Sequence, residues 1–368
     1  MTIPARPGVA AAAAIDADRV QFEAFLSAFH RAAESAGAIV PIGLQIGGKR
    51  VLLRFAGRPL TPYLVPAFRH LSDDSITPGT AELTICAWDS ASTGVPLPLE
   101  VGDLVAHHRR GMPDSRPSGR VLSAYRRPDP GFSMLDLDSA TGIYWIPDAA
   151  STPYEDRSGT FRAILSWWMA AHGRQFVHGA AIGDARGGVL VVGKSGSGKS
   201  TTALSCLMAG FDYVGDDYCL LDPGVPPVVH SLFGSAKLHA HHIERFPQLA
   251  DLVTNPARLE IEKGVFLLGD HIPERLVASL TVRAVLVPSV VGHGPTEMLP
   301  LSSPRALAAL APSTLLQLSA TRNEALARMA ALVRSVPAFE LRLGEKIDDI
   351  PMVIDRLLGR LHGEARHG

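Results

Sequence analysis

Apolar residues recur three and four apart near the start of the chain, at Phe22, Phe25, Leu26 and Phe29. That spacing lines one face of a helix and predicts one over residues 18–37, with Gly37 as its left-handed terminator. The period then changes. Leu44 and Ile46 lead into Gly47-Gly48 and residues 51–55 follow, which predicts a hairpin around a two-glycine turn. Alternation returns at residues 82–88, and a second hairpin is predicted from residues 134–137 and 143–146. Pro, Gly and Ser crowd residues 92–119, which read as a long irregular connection. Residues 18–150 are thus expected to form an α+β domain with no recognisable catalytic motif. An alanine-rich segment, residues 1–17, is expected as a disordered tail before it.

A helix is predicted over residues 160–172, with Phe161, Ile164, Leu165 and Trp168 on one face. Short apolar strands follow at 176–182 and 189–192, then a helix at 199–209 closed by Gly210, then a strand at 211–214. Strand, glycine loop, helix, strand is the order of an α/β nucleotide-binding core, here expected over residues 158–362. Later strands are predicted at 264–268, 284–287 and 339–343, and helices at 304–310, 322–336 and 350–361.

The glycine loop carries the strongest chemistry. Gly193-Lys194-Ser195-Gly196-Ser197-Gly198-Lys199-Ser200 satisfies G-x-x-x-x-G-K-[ST]. Glycines let the backbone curl so that successive N–H groups face phosphate oxygens, and the helix that follows adds its positive end. In such a loop Lys199 bridges the β- and γ-phosphates, and Ser200 offers its hydroxyl to Mg²⁺, with Thr201 next to it. ATP and Mg²⁺ are the ligands this implies. Asp216-Asp217 lies 17 residues beyond Lys199, at the end of the predicted strand, which is expected next to the strand that leads into the loop. An acid there is placed to coordinate Mg²⁺, and a second acid can accept the proton of a hydroxyl as a bond to phosphorus forms. On extended backbone two neighbouring aspartates point to opposite sides.

Composition narrows the alternatives. The chain has 368 residues, 46% of them hydrophobic and 19% charged, with a formal net charge of −1. That is globular composition without the field that draws in nucleic acid or an acidic membrane. Cys86, Cys206 and Cys219 form no C-x-x-C unit, so neither a disulfide framework nor a cysteine zinc site is expected. The apolar stretch 9–15 is short for a signal peptide and no run reaches the length of a membrane span. A cytoplasmic protein is expected.

The stretch 176–221 resembles the kinase domain of HPr kinase/phosphorylase, which shows a His-Gly pair, a G-x-S-G-x-G-K-S loop and an Asp-Asp pair in that order. Here these are His178-Gly179, residues 193–200, and Asp216-Asp217. The resemblance implies a P-loop, HPr-kinase-like (PEP-carboxykinase-like) α/β core. It makes Asp216 the proton acceptor with His178 beside it, and places Asp217 with Ser200 at the metal. Thr201 stands where that family has glutamate, and the later signature linked to its phosphorylase reaction is not recognisable. Several segments look more like the HPr-kinase-related enzymes of lasso-peptide gene clusters, among them residues 210–217, 234–238, Glu262-Lys263 and 312–318. That likeness implies a kinase acting on a serine or other hydroxyl of a peptide or small protein. Homo-oligomers occur in the family.

Beyond the loop, Lys237 and Lys263 fall beside predicted strands, where a second cation would offset charge on the γ-phosphate. The nucleotide contacts are therefore expected from Gly193, Ser195, Gly196, Ser197, Gly198, Lys199, Ser200, Thr201, Lys237 and Lys263. His239, His241 and His242 read as a solvated polar face, and His107-His108-Arg109-Arg110 as surface. Two other functions fit the same motifs: a nucleotide-gated module that recruits a partner, and a small-molecule hydroxyl kinase.

Overall fold

The computed structural model describes residues 9–99, 120–126, 129–318 and 322–367. Helix α1 (Val9–Ser35) begins nine residues before the periodic pattern, inside the segment expected as a tail. Its apolar face is the one the spacing marks. Phe22, Phe25 and Phe29 are buried, and Phe25 stacks on Phe132 at 4.6 Å. The predicted hairpin is β1 (Ile39–Ile46) and β2 (Lys49–Ala56), with Ile46 facing Lys49. Gly47 and Gly48 have φ of 56° and 73°, which a two-residue primed turn requires.

Strands β3 (Leu83–Asp89), β4 (Val121–Arg126), β5 (Gly131–Asp136) and β6 (Thr141–Ile146) complete a mixed sheet, order β1-β2-β3-β6-β5-β4. β4 has no counterpart in the sequence reading because it starts directly after the Pro/Gly/Ser-rich stretch. Residues 100–119, including the His107-His108-Arg109-Arg110 motif, lie outside the described residues.

The second sheet holds β7 (Gln175–Val177), β8 (Gly179–Asp184), β9 (Gly187–Val192), β10 (Asp212–Gly215), β11 (Cys219–Asp222) and β12 (Val228–His230). β13 (Ser235–Leu238) and β14 (Gly264–Leu267) pair apart from it. β15 (Ser279–Val290), β16 (Glu297–Leu301) and β17 (Ala338–Leu343) return to the large sheet. Its order is β10-β8-β9-β15-β12-β11-β7, with β17 joined to β15 and β16 to β17. β9, β15 and β17 run parallel.

Two expectations need correction here. The strand expected over 176–182 is broken at His178, because β7 pairs with β11 while β8 pairs with β9 and β10. The aspartate-bearing strand was expected beside the P-loop strand, yet β10 pairs antiparallel with β8, which separates it from β9.

Alternate residues of β9 feed two cores, as a strand covered on both faces should. Val189 and Val191 pack with Leu204 and Leu207 of α3 (Lys199–Met208) and with Ile354 and Leu358 of α6 (Asp349–His367). Leu190 and Val192 pack with Leu310 of α4 (Ser303–Leu318) and with Met329 and Leu332 of α5 (Arg322–Ser335). Helix α2 (Arg162–Ala171) ties the sheets together: Ile164 and Trp168 share one cluster with Phe55 of β2, Phe176 of β7 and Leu220 of β11. Among the described residues no helix is long and apolar enough to cross a membrane.

Two partly buried histidines make stability depend on pH. Burial lowers both His70, bonded through Nε2 to Ser231 Oγ at 2.7 Å, and His230 from 6.5 to about 4. A depressed folded value means the unfolded chain takes the proton first. Stability is therefore complete above pH 6.5 and declines as pH falls from 6.5 towards 4. Each site accounts for up to about 3 kcal/mol across that window. Urea unfolding at pH 7, 5.5 and 4 should show the decline, and His70→Asn should make it shallower.

Candidate functional site

Strand β9 ends at Val192, and residues 193–198 curl before α3 starts at Lys199. The curl depends on glycine at particular positions. Gly193, Gly196 and Gly198 have φ of 147°, 77° and 105°, a region that L side chains rarely adopt. A Cβ on Gly198 would lie 2.3 Å from Leu343 Cδ1, and one on Gly193 2.9 Å from Ser197 Oγ, whereas Gly196 faces open space. Gly198→Ala should therefore cost roughly 1–3 kcal/mol and deform the loop, while Gly196→Ala carries backbone strain alone, about 1–2 kcal/mol. Melting temperatures of the two variants should rank in that order.

Among the described residues, the N–H groups of Ser195, Gly196, Gly198, Lys199 and Ser200 meet no protein acceptor. Ser197 Oγ is likewise buried without a partner. Unpaired backbone N–H groups in a glycine-rich curl at a helix start suit an anion. Lys199 is 7% exposed, and burial lowers its pKa while Asp216 and Asp217 oppose that. Its Nζ donates to the carbonyls of Gly193 at 2.8 Å and Lys194 at 3.1 Å, spanning the loop.

The acid pair lies in the bend between β10 and β11. Contrary to the extended geometry expected, Asp217 is left-handed, with φ of 69°. Aspartate tolerates that region better than most residues. The two carboxylates have different surroundings. Asp216 is 2% exposed, and neither of its oxygens has a hydrogen-bond partner of normal geometry. Burial, then the Asp217 charge, raises its pKa; the Ser200 hydroxyl and Lys199 draw it back only in part. Asp217 accepts from His178 Nε2 at 3.0 Å and from Lys237 Nζ at 2.8 Å. Burial works against its charge, but these two donors outweigh it and hold the carboxyl well below the usual range. An ionised carboxylate can only accept, so the proton is on His178 Nε2.

The expected partnership of His178 with Asp216 is thus corrected: its ring is on Asp217. Its backbone N–H donates to Thr314 Oγ1 at 3.1 Å, and its ring stacks on Tyr218 at 5.7 Å. Arg162 Nη1 donates to the Tyr218 hydroxyl at 2.8 Å. Lys237 also reaches Glu155 Oε1 at 3.5 Å.

The loop and Asp217 open on one cleft, a concave setting of the kind small-ligand sites use. Of the residues singled out in the sequence, His178, Ser195, Gly196, Gly198, Lys199, Ser200, Thr201, Asp217, Lys237 and Lys263 line it. Gly193, Ser197 and Asp216 are buried and do not line it. His239 and His242, expected on a solvated polar face, instead line the cleft at the short helix Ala240–Ile243, and no signal in the sequence marks Arg245, Leu343, Ile347 and Ile350, which line it too. Among the described residues no group of three or more His, Cys, Asp or Glu side chains could hold a metal ion. A Mg²⁺ ion needs less from a protein, since one or two carboxylates plus substrate phosphates suffice. Ser200 and the unpartnered Asp216 carboxylate fit that requirement.

No family model matches the chain, and no curated protein matches it in sequence. The structure is similar in part to the HPr(Ser) kinase/phosphatase from Coxiella burnetii. That match covers 53% of this chain and 99% of the other, at a TM-score of 0.29 and 14% identity. So distant a likeness carries no weight for mechanism.

Proposed function

We propose that the chain is an ATP-dependent kinase that transfers the γ-phosphoryl group to a hydroxyl, foremost a serine of a peptide or small protein. A lasso-peptide precursor is one acceptor of this kind. The observation that carries the proposal is that the anion cradle and Asp217 open on the same cleft, with Asp216 next to Asp217 in a different electrostatic state. Backbone N–H groups of the loop and the Lys199 ammonium would hold the triphosphate. Ser200 and Asp216 would hold Mg²⁺, which when bound neutralises charge on the phosphate oxygens. Relative to the family resemblance, this exchanges the roles of the two aspartates.

Asp217 then faces the acceptor. Each of its oxygens accepts one bond from the protein and keeps a second lone-pair site, so it can also receive the acceptor O–H. The hydroxyl oxygen forms its bond to the γ-phosphorus as the bridging P–O bond to ADP breaks, and the hydroxyl proton passes to Asp217. A carboxylate held so far below the usual range is a weak base. Transition states of this reaction are loose and gain mainly from positioning and charge stabilisation, so a weak base suffices. Lys237 and Lys263 offset charge spreading over the transferred group.

Incubation with [γ-³²P]ATP, Mg²⁺ and a panel of serine peptides and small alcohols tests the proposal. A kinase labels an acceptor. Release of inorganic phosphate alone, with every acceptor unlabelled, would favour a nucleotide-gated module instead.

A further inference from the structure

The cleft has a divided lining. Around the loop and acids it presents Lys199, Lys237, Lys263 and His178, whereas Val290, Leu343, Ile347 and Ile350 form an apolar wall. The wall starts at the phosphate cradle itself, because Leu343 packs directly against Gly198. Leu343 and Ile350 belong to the core, but Ile347 is half-buried and Val290 is 65% exposed, so aliphatic surface faces the cleft. Arg245 bounds the same space. Its Nη2 donates to the Glu345 carbonyl at 3.3 Å, which links the segment after the short helix Ala240–Ile243 to the loop between β17 and α6. The guanidinium is exposed and has no carboxylate partner among the described residues. Arg245 and Ile347 also line a second cavity along α3, together with Met208, Phe211 and Phe246.

We infer that the apolar wall of Val290, Leu343, Ile347 and Ile350 seats the purine base of the nucleotide, with the Arg245 guanidinium as its stacking partner. The inference rests on the reading of residues 193–200 as the triphosphate cradle and adds where the rest of the nucleotide goes. A purine is flat and largely apolar on its faces. Aliphatic side chains cover one face, and a planar guanidinium packs well on the other. An inorganic polyphosphate uses the cationic part of the cleft and gains nothing from the wall. The wall therefore converts a general polyphosphate site into a nucleotide site.

The test measures binding of MgATP and of Mg-tripolyphosphate to the full chain by titration calorimetry. Wild type should bind MgATP at least tenfold more tightly than Mg-tripolyphosphate. Arg245→Lys keeps the charge but removes the plane, and Ile347→Asn removes apolar surface. Both should weaken MgATP about tenfold and leave Mg-tripolyphosphate within twofold. Arg245 is exposed, so Arg245→Lys should leave the melting temperature unchanged even if Ile347→Asn lowers it. If both probes bind wild type equally, or MgATP binding ignores both variants, the base is not on this wall. If neither probe binds wild type, the cradle reading fails instead.

Discussion

Lys199→Ala is expected to lower MgATP affinity about 100-fold and to abolish transfer with it. A charge-assisted contact to phosphate of order 1.5–3 kcal/mol is lost, the upper part of which corresponds to about 100-fold. Fold and stability should change less than ligand binding. Lys199 is 7% exposed, and its ammonium bonds the loop's own carbonyls of Gly193 and Lys194. Those carbonyls are strong acceptors that water can reach once the side chain is gone, whereas phosphate loses its counter-charge. Titration calorimetry and thermal melting on the same preparations separate the two effects. Unaltered MgATP affinity in Lys199→Ala would show that the loop does not hold the triphosphate.

The aspartates should respond differently from each other. Asp217→Asn is expected to retain MgATP binding within a few-fold and to lose transfer by about a thousandfold, within the range for a positioned acid–base group. The amide removes the charge that His178 and Lys237 converge on at 3.0 and 2.8 Å. It also removes the acceptor for the substrate proton. Asp216→Asn should instead raise the Mg²⁺ concentration needed for half-maximal rate at least tenfold, because the variant loses a hard anionic ligand beside Ser200. Mg²⁺ titrations of the rate in both variants distinguish the assignments. The opposite pattern, with Mg²⁺ dependence moved by Asp217→Asn alone, would restore the roles implied by the family resemblance.

What the sequence made legible follows from covalent proximity. The eight residues of the loop are contiguous, and a strand before and a helix after them are short-range features, so β9, the curl and α3 could be read directly. The Asp pair was visible for the same reason. Partnerships across the fold were not. His178 reaches Asp217 because strand pairing is interrupted between β7 and β8, and no apolar pattern in Phe176-Val177-His178-Gly179-Ala180 marks that interruption. β10 pairs with β8 rather than with β9 through a non-local register choice. His239, His242 and Arg245 belong to a segment of mixed polarity. Only the burial of Ile243 and Phe246 in the core turns it towards the cleft. β4 follows a stretch rich in turn residues, which masked its alternation.

The most direct measurement is a crystal structure of the chain with a non-hydrolysable ATP analogue and Mg²⁺. The β- and γ-phosphates should lie against the N–H groups of residues 195–200 and the Lys199 ammonium. The metal should touch Ser200 and Asp216, and Asp217 should face the γ-phosphorus from the acceptor side. Phosphates bound elsewhere, or an acid pair out of reach of them, would contradict this arrangement.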